Sequence, residues 1–98
     1  MHTGTQIIDT LKHLLLKRLE LEETGLTAEQ ISEDSLLLDE SGLGLDSVEA
    51  LDLLIGVEKS FSLKIPNIDK TFIETTCHSV RTLADYVAAA SAAVEQAA

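Results

Sequence analysis

The first helix is predicted from apolar residues that recur at helical spacing near the start of the chain. Basic side chains are interleaved with them, so the segment has one apolar face and one polar face. Thr5 is a candidate N-cap for this helix, and Gly25 marks a point that the helix has already left. The apolar positions are Ile7, Ile8, Leu11, Leu14, Leu15 and Leu19.

A long connection from about residue 22 to residue 45 follows the first helix. It contains Gly25, Gly42 and Gly44 among many Ser, Asp and Glu residues. A loop of this length in so small a domain is uncommon and is usually functional. Its apolar residues indicate that it is pinned to a core. They are Leu26, Ile31, Leu36, Leu37 and Leu38.

A second helix is predicted from Asp46 to about Ser60, with Asp46 as its N-cap. A helical projection with about 100° between neighbours separates an apolar arc from an acidic one. We expect the acidic arc to be exposed and edged by two aliphatic side chains. The apolar arc contains Ala50, Leu51, Leu53, Leu54, Val57 and Phe61. The opposite arc contains Glu49, Asp52, Gly56, Lys59 and Ser60, with Val48 and Ile55 at its margin.

Two further helices follow a linker of residues 62–67. A short third helix fits Asp69 to about Thr75, and Ser79 offers the N-cap of a fourth helix. The Ala-rich end of that helix is expected to fray after about Ala90. No stretch alternates with period two for long enough to require a sheet. We therefore predict an all-α, four-helix bundle with a long ordered loop between helices 1 and 2 and a short helix 3.

Composition restricts the possible partners of this fold. The 98 residues include 17 acids and 7 bases, for a net charge of −10, and aromatic residues make up 3%. This balance argues against nucleic acids and anionic membrane surfaces, while an apolar fraction of 45% supports a packed core. Twelve of the acids and no base lie between Glu20 and Glu58. This block is either a surface for basic partners or a solubility feature, and composition does not separate the two.

Features of the whole chain suggest a single soluble domain, residues 1–98, with a core of about residues 5–90. The first residues lack the basic start of a signal peptide, and no apolar run is long enough to span a bilayer. The single cysteine, Cys77, cannot form an internal disulfide, which fits a reducing compartment. We expect a monomeric, cytoplasmic protein.

The sequence lacks the residue spacing that most kinds of active site require. Ser47 lacks the flanking glycines of a nucleophile elbow. Cys77 and His78 are neighbours, which point in different directions on a helix, and the histidines lack metal-ligand spacing. An EF-hand loop that began at Asp39 would end at Ala50, where a bidentate acid belongs. We expect no catalytic residue and no metal site.

One segment, Gly42 to Leu51, remains as a functional candidate. It places Ser47 in the first turn of a helix, at the end of the loop and beside acidic residues. Asp-Ser at a helix start is also ordinary capping chemistry. A first-turn serine can carry a phosphodiester well, because free N–H groups and the positive end of the helix dipole favour an attached phosphate.

The chain resembles the acyl carrier proteins over about residues 5 to 90. The resemblance lies in Leu43-Gly44-Leu45-Asp46-Ser47-Val48, followed by Glu49, Leu51, Asp52, Glu58 and Phe61, and downstream in Ile65-Pro66 and Ser79–Val87. It implies that Ser47 receives a 4′-phosphopantetheine arm, whose thiol holds an acyl group as a thioester, and that Asp46 is its neighbour during loading. The implied protein is a freestanding carrier for fatty-acid, polyketide or related specialised lipid biosynthesis, and it is not a catalyst.

The same resemblance implies a surface for partner enzymes on the second helix. These partners are a phosphopantetheinyl transferase and acyl-loading, condensing and other acyl-processing enzymes with basic docking patches. The residues assigned to this surface are Val48, Glu49, Asp52, Ile55 and Gly56. Gly56 has two interpretations: a neutral exposed site, where alanine would stabilise the helix by roughly 1 kcal/mol, or a point of close approach for a partner or the arm.

Departures from the common pattern favour a specialised pathway over general fatty-acid synthesis. Asn67 and Ile68 follow Ile65-Pro66 where an acid is frequent, and the segment from there to Tyr86 is longer than usual. Two alternatives remain open. One is an aminoacyl, peptidyl or D-alanyl carrier, which shares the architecture. The other is an unmodified acidic interaction module in which Ser47 is only a cap.

Overall fold

The computed structural model of the chain describes residues 4–66 and 68–97, and for residues 92–97 it describes only the backbone. Within these ranges the chain forms helices and no β-strand, which confirms the predicted all-α bundle. The main helices are α1 (Gly4–His13), α2 (Ser47–Phe61), α3 (Lys70–Thr76) and α4 (Val80–Ala97). A π-helical turn (Leu14–Arg18) extends α1, and two short 3-10 turns (Leu21–Thr24 and Ala28–Gln30) follow it.

The predicted helix boundaries agree with α2, α3 and α4 to within about a residue at their starts. Ser79 caps α4 as expected, because its hydroxyl accepts a hydrogen bond from the backbone N–H of Thr82 at 3.2 Å. Thr5 was expected to cap α1, but this prediction is wrong, since Thr5 follows Gly4 inside the helix. The backbone of α4 is helical through Ala97, and fraying of its end stays a prediction. Asn67 of the predicted linker lies outside the described residues.

The core lies between α1, α2 and α4, where leucine and valine side chains are removed from water. Burial of this kind of surface stabilises the fold by about 25 cal/mol for each Å² of apolar area. The long loop contributes to the same core through Ile31, Leu37 and Leu45, which are all buried. The prediction that the loop is pinned to the core is therefore confirmed.

Backbone hydrogen bonds attach the loop to the beginning of α4. Val80 N–H donates to the Ser35 carbonyl at 3.0 Å, and Arg81 N–H donates to the Glu33 carbonyl at 2.8 Å. These are first-turn N–H groups, which have no acceptor within their own helix. In the other direction, Leu37 N–H donates to the His78 carbonyl at 3.0 Å. The loop carbonyls thus accept the otherwise unpaired N–H groups at the start of α4, and the His78 carbonyl holds the loop in return.

The exposed face of α2 differs from the prediction. Leu51, which was assigned to the core, is 40% exposed, and Val48 is 72% exposed. Ile55 is half-buried beside them. We call Val48, Leu51 and Ile55 the aliphatic stripe. The assignment of Leu51 to the core was wrong because α2 carries aliphatic residues on both sides, and only one side packs against the bundle.

Gly56 is also placed differently from the prediction, since it is buried against the end of the π-helical turn and does not lie on an exposed polar face. A Cβ at this position would lie 2.7 Å from Cδ of Arg18 and 3.0 Å from Cδ2 of Leu14. Arg18 Nε donates to the Asp52 carbonyl at 3.0 Å, and its Nη2 lies 3.1 Å from Asp52 Oδ1. We call these contacts of Arg18 with Asp52 and Gly56 the Arg18 clamp. Because Gly56 is covered by the protein itself, its assignment to a partner-binding surface is wrong.

The clamp changes the expected effect of Gly56→Ala. Helix propensity alone favours alanine by about 1 kcal/mol. We expect this gain to be absent in the wild-type background, because the new methyl group displaces Arg18. It should return in part in an Arg18→Ala background, with a coupling of about 1 kcal/mol between the two positions. Urea unfolding of the four proteins measures this coupling, and additive free energies would contradict the clamp.

The buried Cys77 leads to a prediction about reactivity. Cys77 is 0% exposed, and burial raises the pKa of its thiol from 9.0 to about 11. The thiolate is the reactive form, so we expect a maleimide to label the native protein slowly at pH 8 and the urea-unfolded protein rapidly. Labelling of the native protein should accelerate as the pH approaches 11. Rapid native labelling at pH 8 would show that the thiol is accessible.

Candidate functional site

Ser47 stands at the beginning of α2, directly after the residue that caps the helix. The Asp46 carboxylate accepts the Glu49 N–H at 2.7 Å, and the Glu49 carboxylate accepts the Asp46 N–H at 3.3 Å. This reciprocal pair is a capping box, which satisfies two N–H groups at the helix start. The prediction of Asp46 as the N-cap is confirmed.

The end of the long loop determines where this helix begins. Leu43 N–H donates to the Leu36 carbonyl at 2.8 Å, and Leu45 N–H donates to the Leu37 carbonyl at 2.8 Å. Gly42 passes so close to Leu36 that a Cβ would lie 2.8 Å from the carbonyl carbon of Leu36. A side chain at residue 42 would therefore force the loop apart. With Leu45 buried, the chain enters the helix from a fixed position.

A turn centred on Asp39 shapes the approach to α2. The Asp39 carbonyl accepts the N–H groups of Gly42 at 2.9 Å and Gly44 at 3.0 Å. Gly44 has φ +63°, a left-handed conformation that glycine adopts without strain. The Asp39 carboxylate accepts both the N–H and the hydroxyl of Ser41 at 2.8 Å. These bonds lower the pKa of Asp39, so the turn is closed by an ionised carboxylate at neutral pH.

The hydroxyl of Ser47 is available for chemistry. Its side chain is exposed, and within the described part of the chain it forms no hydrogen bond. The capping role belongs to Asp46, so the hydroxyl is not needed to begin the helix. Its place in the first turn puts it near free N–H groups and the positive end of the α2 dipole. An attached phosphate would be favoured there.

A groove of about 540 Å³ opens beside Ser47, between the start of α2 and α3. Apolar side chains and charged side chains both line it. The apolar ones are Leu38, Leu45, Ile68 and Ile73, and the charged ones are Asp69, Lys70 and Glu74.

The far wall of this groove is a short helix with its own cap. The Asp69 carboxylate accepts the Phe72 N–H at 2.8 Å and so begins α3, as predicted. The ring of Phe72 meets Tyr86 of α4 edge to face, with centroids 5.2 Å apart and an angle of 86° between the rings. Such aromatic pairs add to the stability gained by burial. This contact packs α3, the far wall of the groove, against α4.

The structure separates the residues that were assigned to the partner surface. Val48 and Ile55 lie on the exposed aliphatic stripe, together with Leu51, which the sequence analysis missed. Glu49 is half-buried in the capping box, and Asp52 is bound by Arg18. In the helical projection Leu51 and Val48 lie about 60° apart, and this small angle could have indicated from the sequence that they share a face.

A metal site and a membrane-spanning helix are both absent from the part of the chain that the structure describes. The side chains of residues 4–66 and 68–91 include no group of three His, Cys, Asp or Glu residues that could hold a metal ion. His2, which the sequence analysis considered, lies outside these ranges. Among the described helices, none combines the length and apolar character needed to cross a membrane.

Comparison with known proteins identifies the family. No family model matches the chain. An acyl carrier protein of Streptomyces coelicolor is 34% identical to it over 84 residues, which cover 86% of this chain and 85% of that protein. The match extends over nearly the whole bundle, and it accompanies a helical fold with an exposed serine at the start of α2. The chain belongs to the acyl carrier protein family.

Proposed function

We propose that this chain carries acyl intermediates as thioesters on a 4′-phosphopantetheine arm attached to Ser47. The observation that carries the proposal is the Ser47 hydroxyl, which is exposed and forms no hydrogen bond to the described residues. When bound, the arm supplies a thiol that holds the acyl group. The pathways proposed are fatty-acid, polyketide or related specialised lipid biosynthesis, and the sequence departures favour a specialised one.

The residues around Ser47 fit such a group. The capping box of Asp46 and Glu49 holds the first turn rigid, so the hydroxyl is presented at a fixed position. We propose that Asp46 acts during loading through this positioning. The chain's own thiol cannot replace the arm, because Cys77 is buried and its pKa is raised to about 11.

Partner enzymes are proposed to dock on the exposed side of α2. The aliphatic stripe supplies apolar contact there, and Glu49 and Asp52 lie at its edge. Partners with basic patches would be attracted by the net charge of −10, which acts mainly on the rate of association. The proposed partners are a phosphopantetheinyl transferase and the acyl-loading, condensing and other enzymes that process the cargo.

The alternatives from the sequence analysis make different demands on the same site. An unmodified interaction module would need Ser47 only as a cap, but Asp46 performs that role. An aminoacyl, peptidyl or D-alanyl carrier would use Ser47 in the same way and differ in cargo. Intact mass analysis of the protein from its native cells, with the thioester preserved, would identify the cargo.

The attachment site is tested by Ser47→Ala. We expect incubation with coenzyme A and a phosphopantetheinyl transferase to add the arm to the wild type and nothing to the variant. Stability should change by no more than about 0.5 kcal/mol, since the substituted side chain is exposed and Asp46 keeps the cap. Ser60→Ala, at another exposed serine of α2, is the matched control and should load normally. Modification of Ser47→Ala would disprove the assignment.

The docking surface is tested by Val48→Ala. We expect the complex with the transferase to weaken by about 1 kcal/mol, or roughly fivefold in Kd, because apolar contact is lost. The isolated protein should be no less stable, since Val48 is 72% exposed and alanine favours a helix. Surface plasmon resonance measures the affinity, with Ser60→Ala as the control. An unchanged Kd would place the partner elsewhere.

The acidic block is tested separately through salt. For the wild type we expect the association rate with the transferase to fall as ionic strength rises, because screening reduces the reach of the charges to about 10 Å at 0.1 M. Stopped-flow measurements over a series of salt concentrations would show this. A rate that does not depend on salt would mean that the acids serve solubility alone.

A further inference from the structure

The Arg18 clamp brings a positive charge from the first helical segment to the surface of α2. Arg18 is the last residue of the π-helical turn, and Leu19 N–H closes that turn on the Leu14 carbonyl at 3.1 Å. Its guanidinium is held by the carboxylate and the carbonyl of Asp52, and its Cδ lies over Gly56. Two hydrogen bonds and a matching glycine make this a specific contact.

The three acids of α2 are all engaged within the protein, but in different ways. Glu49 accepts the N–H of Asp46, and Glu58 accepts the N–H of Ile65 at 2.8 Å. Both of these partners are backbone N–H groups without net charge, so neither cancels the charge of its carboxylate. The partner of Asp52 is a guanidinium, which cancels its charge locally. Arg18 therefore determines how acidic the edge of the aliphatic stripe is.

The ion pair is accessible to a competing group. The side chains of Arg18 and Asp52 are 30% and 41% exposed, so a basic residue of a partner can reach the Asp52 carboxylate. Exposed pairs of this kind contribute little to stability, which allows exchange of one cation for another. To use Asp52, an incoming basic group has to displace Arg18 or share the carboxylate with it.

We propose that Arg18 is a specificity-determining residue that competes with the basic groups of partner enzymes for Asp52. This inference rests on the proposed function, because it concerns docking to α2. Arg18 weakens the attraction of partners that depend on charge alone. The affinity of partners that also pack against the aliphatic stripe is affected less, since their apolar contact does not involve Asp52. The clamp thus shifts recognition from charge toward apolar fit.

The test measures association rates with a phosphopantetheinyl transferase at low salt. Arg18→Gln removes the competitor, and Lys17→Gln is the matched control. Each substitution removes one positive charge and releases one carboxylate, since Lys17 Nζ lies 2.8 Å from Glu22 Oε2. Glu22 lies outside α2. We expect the association rate of Arg18→Gln to be about three times that of Lys17→Gln.

Asp52→Asn completes the cycle. In this background the carboxylate is absent, so Arg18→Gln and Lys17→Gln should have equal effects. Equal effects already in the wild-type background would overturn the proposal and leave only a response to net charge. Slower association of Arg18→Gln would also overturn it, because Arg18 would then assist docking.

A measurement on the unsubstituted protein covers the case in which Arg18→Gln does not fold. The Arg18 Nε–H should exchange with solvent at least severalfold more slowly than that of Arg81, which contacts Glu33 and Asp34 through Nη2. Equal exchange rates by NMR would show that the clamp does not form, and would overturn the proposal.

If the wild type is not loaded at Ser47, the proposed function fails, and the proposed competition at Asp52 fails with it. Loading at Ser47 without an Arg18 effect removes the competition alone.

Discussion

The position of Ser47 depends on backbone hydrogen bonds between the long loop and the start of α4. The loop carbonyls of Glu33 and Ser35 accept N–H groups that α4 cannot satisfy itself, and Leu37 is held in return. From Leu37 the constraint continues to Leu45 and so to the cap of α2. Without these hydrogen bonds, conformational entropy would favour many other arrangements of so long an irregular segment. The serine is therefore positioned by α4 through the loop, and not by its own helix alone.

The sequence predicted the features that depend on neighbouring residues and missed those that depend on distant ones. The cap at Asp46, the cap at Ser79 and the start of α3 follow from local chemistry, and the structure confirms them. The side of α2 that faces the bundle depends on which helix packs against it. For that reason Leu51 was assigned to the core and Gly56 to the surface, and both assignments were wrong. The sequence pattern left Ser47 open between ordinary capping chemistry and a site for a phosphodiester, and the family resemblance favoured the second.

The acidic block of the sequence is less uniform in space than along the chain. Twelve acids and no base lie between Glu20 and Glu58, but arginines from outside this range reach into it. Arg18 binds Asp52, and Arg81 binds Glu33 and Asp34 at 3.2 and 2.9 Å. Nearby carboxylates raise the pKa of Arg81 further, so this cation stays charged. Counting charges along a sequence describes the long-range field, whereas the charge at the α2 surface is determined by these local pairs.

The aliphatic stripe of α2, where partners are proposed to dock, is separate from the parts that hold the helix in place. Its buried residues and its cap anchor it, and Gly56 accepts the clamp at a helix-propensity cost of about 1 kcal/mol. The aliphatic stripe contributes little to these contacts, since Val48 and Leu51 are substantially exposed. Substitutions on the stripe can therefore change recognition without unfolding the domain. Arg18 has both roles in our proposal, because the same side chain packs the π-helical turn against α2 and adjusts the charge that a partner meets. A change at Arg18 consequently alters both properties together, and its two effects have to be measured separately.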